Sequence, residues 1–162
     1  MKKIAVVLMM VLIMVSVAVA RPMSSVVREQ VEQLIARNEE SILHDTEVKA
    51  SIEKYIEWLE TTDFSEKVIN KADLRKVNSI KKELILLSKG YRGLAEININ
   101  LTTKRNEGYR KALEENDSKY FYKPISKAEV ELYENIIEVE TKLKSLDFKL
   151  KAILKLYGYD VK

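Results

Sequence analysis

The clearest alternation of hydrophobic and polar positions lies near the end of the chain. Apolar residues recur there at spacings of four and three, at Leu132, Ile136, Val139, Leu143, Leu146, Leu150, Ile153 and Tyr157. This spacing predicts an amphipathic helix with a heptad seam. Ser126 and Glu129 match a capping box, and Gly158 suits the position just after a helix. We therefore predict a helix over residues 127–157.

The middle of the chain carries the same spacing over a broader apolar face, as in a helix with two neighbours. Its seam positions are Val77, Ile80, Leu84, Leu87, Tyr91, Leu94, Asn98 and Leu101. The polar Asn98 within this seam is a candidate for fixing the register of packing. The pattern predicts a helix over residues 64–116, which starts either at a box-like Asp63–Glu66 or at a later cap by Asp73.

The first helical segment is predicted over residues 24–61. Its seam positions are Val27, Val31, Leu34, Asn38, Val48, Ile52, Tyr55 and Leu59. Ser41 and Asp45 interrupt the seam, which indicates either a kink near residues 44–46 or a drift of the apolar face. We favour one continuous helix.

These patterns predict an all-α fold, either a long antiparallel three-helix bundle or a helical-hairpin coiled coil. The alternating run Ile97–Leu101 is embedded in helical spacing, and only 4 glycines and 2 prolines are present to form turns. Connections are expected near residues 61–65 and 117–125. Residues 21–162 are predicted to form a single coiled-coil-like helical domain.

The first twenty residues are predicted to be a signal peptide. Lys2 and Lys3 precede the uncharged run Ile4–Ala20, and Ala18 and Ala20 provide the small residues that signal peptidase requires. An uncleaved membrane anchor is the alternative, although this run is short against the roughly 20 residues of a spanning helix. Both interpretations place the rest of the chain outside the cytoplasm, in the periplasm, on the cell surface or secreted.

Composition narrows the possible partners. The chain has no cysteine, which excludes lipoprotein acylation and disulfide bonds. When Lys2 and Lys3 are left out, the chain has 26 basic and 25 acidic residues, and these residues are interspersed along the sequence. This balance argues against nucleic-acid binding, which normally requires a concentrated basic face.

No catalytic or metal-binding signature is present. His44 is the only histidine, and Glu40 lies one helical turn before it, so the pair could share a face as metal ligands. Zinc and di-iron sites draw on more than one histidine, however, and surface polarity explains both residues. Nucleophile-elbow, P-loop and dinucleotide motifs are also missing. We predict a protein that is not an enzyme and holds no cofactor or metal.

Two features are candidates for function. Gly90 and Gly93 lie three residues apart within the middle helix, where each costs stability, and they indicate either a hinge or a close approach of another backbone, or are glycines tolerated on the helix surface. Tyr120, Phe121 and Tyr122 are consecutive aromatics at an expected end of the bundle, where all three cannot face the core. Since Tyr and Phe are enriched in interfaces, they form a candidate protein-interaction site.

The layout resembles the FadA-type adhesins of fusobacteria, through a basic and apolar signal, an A-x-A cleavage motif and long charged helices. The resemblance implies self-assembly through leucine contacts and binding to a host surface. Those adhesins are two-helix hairpins, whereas this chain carries a third capped helix, and no functional residue can be transferred.

Two other classes stay open. One is a periplasmic holdase-type chaperone similar to Skp, although that family is strongly basic and begins with a strand. The other is a structural subunit of a bacterial envelope complex. In all three cases the expected partner is a protein, either another copy or a different chain.

Overall fold

The fold is all-α, as predicted. A computed structural model describes residues 22–117 and 126–160, and within these ranges it contains three long helices and no strand. Helix α1 comprises Ser25–Thr61, α2 comprises Lys71–Glu115, and α3 comprises Lys127–Leu156. Helix α1 is continuous through residues 44–46, which agrees with the single helix that the sequence favours.

The described residues form two compact units. The smaller unit holds residues 22–37 and 104–117, and the larger unit holds residues 38–103 and 126–160. Helices α1 and α2 contribute residues to both units, whereas α3 belongs to the larger unit. Contacts are described below for each unit separately.

The larger unit is a three-helix bundle. Lys49 of α1 pairs with Glu96 of α2, and Glu60, later in α1, pairs with Lys89, earlier in α2, so these helices are antiparallel. The Tyr157 hydroxyl donates to Asp73 Oδ2 at 2.8 Å, which makes α3 antiparallel to α2. The core combines side chains from all three helices and the α1–α2 connection: Leu59, Phe64, Val68, Val77, Leu84, Leu150 and Leu154.

The α1–α2 connection contains a short 3₁₀ helix, Phe64–Glu66, at the point where the sequence predicted the first turn of α2. Asp63 caps it by accepting from the Ser65 N–H at 2.9 Å. Helix α2 then starts at Lys71, and the Asn70 side chain accepts from the N–H groups of Ala72 and Asp73. The connection lets Phe64 and Val68 enter the core, which explains why the helix does not begin at residue 64.

Local signals at the helix ends agree with the structure. The Ser126 N–H donates to Glu129 Oε2 at 2.7 Å, and the Glu129 N–H donates to Ser126 Oγ at 3.2 Å, which completes the capping box. Gly158 has φ of 72° and ends α3, with the Tyr159 N–H donating to the Leu154 carbonyl. Asn116, with φ of 49°, ends α2 through an equivalent bond from Asp117 to Ala112.

The smaller unit has a smaller core. Met23, Val31 and Ala112 are buried, and four partly buried side chains pack around them: Val27, Ile35, Tyr109 and Leu113. Two side chains bridge its helical segments. Arg28 donates to the Leu113 carbonyl at 3.2 Å, and buried Asn106 donates to the Ile35 carbonyl at 3.4 Å.

Candidate functional site

The larger unit presents two features that the core does not use, an apolar stripe on α3 and a groove lined by all three helices. The α3 stripe consists of Val130, Tyr133, Ile137 and Phe148. Their exposed fractions are 46%, 41%, 63% and 74%. Spacings of three, four and eleven return to one side of a helix with 3.6 residues per turn, and these residues span roughly 27 Å. The polar residues Thr141, Lys144 and Ser145 lie between Ile137 and Phe148 on the same side.

A shallow apolar depression adjoins one end of the α3 stripe. Phe148 lines it together with Ile80 of α2 and with Ala152 and Ile153 of α3. Lys76 and Lys149 also line it, so a partner side chain would meet an apolar surface with basic groups beside it. Exposed apolar surface of this kind is a typical feature of protein contacts.

The groove has a volume of about 620 Å³. Three partly buried apolar side chains line it, Val48 and Ile52 from α1 and Leu143 from α3. The remaining lining residues are polar, charged or aromatic: His44, Glu47, Ser51, Tyr55, Ser88, Tyr91, Glu140, Lys144, Asp147 and Lys151. The groove therefore combines an apolar surface with charged groups of both signs.

Ser88 of α2 is the most unusual residue of the groove. Its exposed fraction is 1%, and among the described residues its hydroxyl has no hydrogen-bond partner. Other hydroxyls in these helices bond to the carbonyl one turn earlier, as Ser51 does to Glu47 and Thr141 does to Ile137. An unsatisfied buried hydroxyl costs about 1–3 kcal/mol, so Ser88 is an acceptor available to a bound group.

Tyr55 links α1 to α3 at one end of the groove. Its hydroxyl donates to Asp147 Oδ1 at 2.6 Å, and Lys151 Nζ lies 3.1 Å from Asp147 Oδ2. Burial raises the pKa of Tyr55 well above its ordinary value, and the hydrogen bond and the negative charge of Asp147 raise it further. Tyr55 thus remains protonated as a donor throughout the neutral range.

Tyr91 lies on α2 one turn after Ser88 and is half-buried. Burial raises the pKa of its hydroxyl, and the charges of Glu140 and Asp45 add to the effect. Glu140 is paired with Lys144 at 2.6 Å, and Asp45 accepts from Asn98 Nδ2 at 2.8 Å. Asn98 is buried, as its position in the predicted seam implies, and its bond to Asp45 joins α2 to α1.

The sequence-predicted candidates are distributed as follows. His44 lines the rim of the groove and is exposed, and within residues 22–117 and 126–160 no cluster of three or more His, Asp or Glu side chains is placed to hold a metal ion. Gly90 and Gly93 lie exposed on α2. The aromatic group Tyr120–Tyr122 and the cleavage residues Ala18 and Ala20 lie outside the described residues.

Gly90 and Gly93 leave open space around them, because an added Cβ meets no atom within 4 Å at either position. Replacing both by alanine is expected to raise the free energy of unfolding by about 1–2 kcal/mol, since alanine favours the helix by roughly 0.5–1 kcal/mol per site. Urea denaturation followed by circular dichroism measures the change. Gly158→Ala is the matched control and should lower stability, because φ of 72° disfavours a side chain. A less stable double variant would contradict this expectation.

Sequence reasoning missed Ser88 and the α3 stripe. The heptad reading placed Leu87 in the seam, whereas Ser88 is the buried neighbour. The positions Val77, Leu84, Ser88 and Ala95 are buried, with an eleven-residue spacing from 77 to 88 and from 84 to 95. Such a spacing is close to 3.6 residues per turn, so an eleven-residue template would have found Ser88.

No helix within the described ranges is both long enough and apolar enough to cross a membrane. Comparison of the chain with protein-family models, with curated proteins and with solved structures finds no match.

Proposed function

We propose that this protein is an exported, non-enzymatic helical protein that acts by protein–protein contact and self-associates through the α3 stripe. The observation that carries the proposal is the exposure of Ile137 and Phe148, at 63% and 74%, on one side of α3. Export rests on the basic start, the apolar run and the Ala18–Ala20 motif of the sequence.

Because the leucines of the α3 seam are buried, we assign self-association to the α3 stripe. Leu132, Leu150 and Leu154 are buried within the larger unit, so they have little surface left for a second chain. The stripe lies on a different side of α3 and keeps large apolar side chains in water. A helix that presents apolar anchors at such spacing is a common surface for a helical partner.

Among the three classes, an adhesin-like assembly has the most support. A structural subunit that does not self-associate would bury its large apolar residues within one chain, whereas the residues of the stripe are exposed. A holdase of the Skp kind would offer a basic cradle, whereas the groove is lined by three carboxylates and two lysines. Self-assembly is also what the resemblance to the FadA-type adhesins implies, and binding to a host surface is the accompanying proposal.

Light scattering after size-exclusion chromatography, over a wide range of protein concentration, tests self-association. The sample is residues 21–162, which contain all three helices. We expect the mass to grow with concentration, and the double variant Ile137→Ser, Phe148→Ser to stay monomeric. Leu43→Ser on α1, 61% exposed but outside the stripe, is the control and should behave as the parent. A monomeric parent at every concentration would overturn the proposal.

A further inference from the structure

We propose that the groove of the larger unit binds a small organic cation that carries an apolar body and an ammonium group. The site is separate from the α3 stripe and does not depend on self-association. Its volume of about 620 Å³ lies within the range of small-molecule sites.

The buried hydroxyl of Ser88 is the first argument. It has no partner in the part of the chain that the structure describes, although a helical serine can satisfy itself by bonding to the carbonyl one turn earlier. Ser51 lines the same groove and does make that bond, to the Glu47 carbonyl at 2.9 Å. Ser88 thus retains an unused O–H donor as well as its lone pairs, and the lone pairs can accept from an ammonium N–H.

The charge of the groove determines the sign of the ligand. Both lining lysines are held by carboxylates of α3, Lys144 by Glu140 at 2.6 Å and Lys151 by Asp147 at 3.1 Å. Asp147 in addition accepts from Tyr55. Glu47, on the α1 side, has no ion pair among the described residues, so the lining carries three carboxylates against two lysines. An anion would have to displace paired carboxylates, whereas a cation has Glu47 available.

Aromatic and aliphatic side chains supply the rest of the site. Tyr91 is half-buried beside Ser88 on α2 and lines the groove, and the face of its ring is a favourable position for a cation. Val48, Ile52 and Leu143 offer an apolar surface for the body of the ligand. Since the groove is open to solvent, we expect dissociation constants of about 0.1–1 mM for a ligand of some ten heavy atoms.

The test is a titration of isotope-labelled residues 21–162 with three probes of similar shape, followed by amide chemical shifts. The probes are 2-phenylethylammonium, the neutral 2-phenylethanol and the anionic 3-phenylpropionate. We expect saturable shifts only with the cation, at amides around residues 44–55, 88–91 and 140–151. Equal binding of the alcohol, tighter binding of the anion, or no saturable shift with the cation would each overturn the proposal.

Two serine variants separate the site from general adsorption. Ser88→Ala removes the free acceptor and should weaken binding of 2-phenylethylammonium by about fivefold to tenfold. Ser41→Ala is the matched control, because this exposed serine of α1 does not line the groove, and it should leave the affinity unchanged. Alanine favours the helix at both positions, so both variants should fold. Equal affinities for the two variants would overturn the role of Ser88.

Discussion

Replacing Phe64 by alanine is expected to lower the free energy of unfolding by about 3–5 kcal/mol. Phe64 is 2% exposed in the core of the larger unit. Its ring meets Trp58 edge-on at a centroid distance of 5.8 Å and Tyr159 at 5.7 Å, and the ammonium of Lys81 lies 5.5 Å from its centroid. The substitution leaves a cavity and also removes these aromatic and cation–π contacts.

Phe148→Ala is the matched control for this prediction. Phe148 is 74% exposed, so the same change should alter stability by no more than about 0.5 kcal/mol. Urea denaturation followed by circular dichroism, at a protein concentration low enough to avoid association, compares the two variants. Similar losses for both would show that Phe64 does not anchor the core as described.

Replacing Tyr55 by phenylalanine is expected to lower stability by about 1–2 kcal/mol at neutral pH. The substitution removes the 2.6 Å hydrogen bond to the Asp147 carboxylate. A bond to a charged group contributes more than a neutral one, and partial exposure of Tyr55 moderates the loss. Asp147 keeps its ion pair with Lys151, so no uncompensated charge remains.

Tyr55 is also expected to make the folded chain less stable at alkaline pH. The pKa of Tyr55 in the folded chain lies well above the ordinary value of 10.0, because of burial and then Asp147. Below about pH 10 both the folded and the unfolded chain hold the proton, and the contribution of Tyr55 is fully present. Above pH 10 the unfolded chain releases the proton while the folded chain retains it, so stability falls as pH rises.

Urea midpoints at pH 8 and pH 11, with absorbance at 295 nm to follow tyrosine ionisation, test the alkaline effect. Tyr55→Phe should lose less stability between the two pH values than the parent does. Some dependence should remain, because the pKa values of Tyr91, Tyr157 and Tyr159 are also raised. Tyr133→Phe, at an exposed position on α3, is the control and should match the parent. An unchanged pH dependence for Tyr55→Phe would contradict the interpretation.

Much of the secondary structure follows from interactions between residues close in sequence. The capping box of Ser126 and Glu129 and the end of α3 at Gly158 involve residues within one or two turns, so the pattern alone predicted them. The start of α2 could not be predicted from such local interactions. Asp63 does cap a turn, but the burial of Phe64 and Val68 makes this turn a separate 3₁₀ helix.

A heptad template does not predict the groove. That template assumes 3.5 residues per turn, whereas the buried positions of α2 recur near 3.6 and so shift from Leu87 to Ser88. The charged residues that line the groove come from α1 and α3, whereas α2 contributes Ser88 and Tyr91. The two ion pairs of the groove lie within α3 at a spacing of four residues, but which residues of α1 and α2 line the groove beside them depends on which helix faces which.

Helix periodicity and capping depend on neighbours a few residues apart, so the amino-acid pattern alone predicts that the chain is helical and where most helices end. Tertiary structure decided what each apolar residue does. Phe64 and Phe148 are the same residue type, yet Phe64 packs against Tyr159 in the core and Phe148 lies in water. Burial is set by contacts between residues distant in the chain, such as Tyr55 with Asp147, and these exist only once the three helices have packed together.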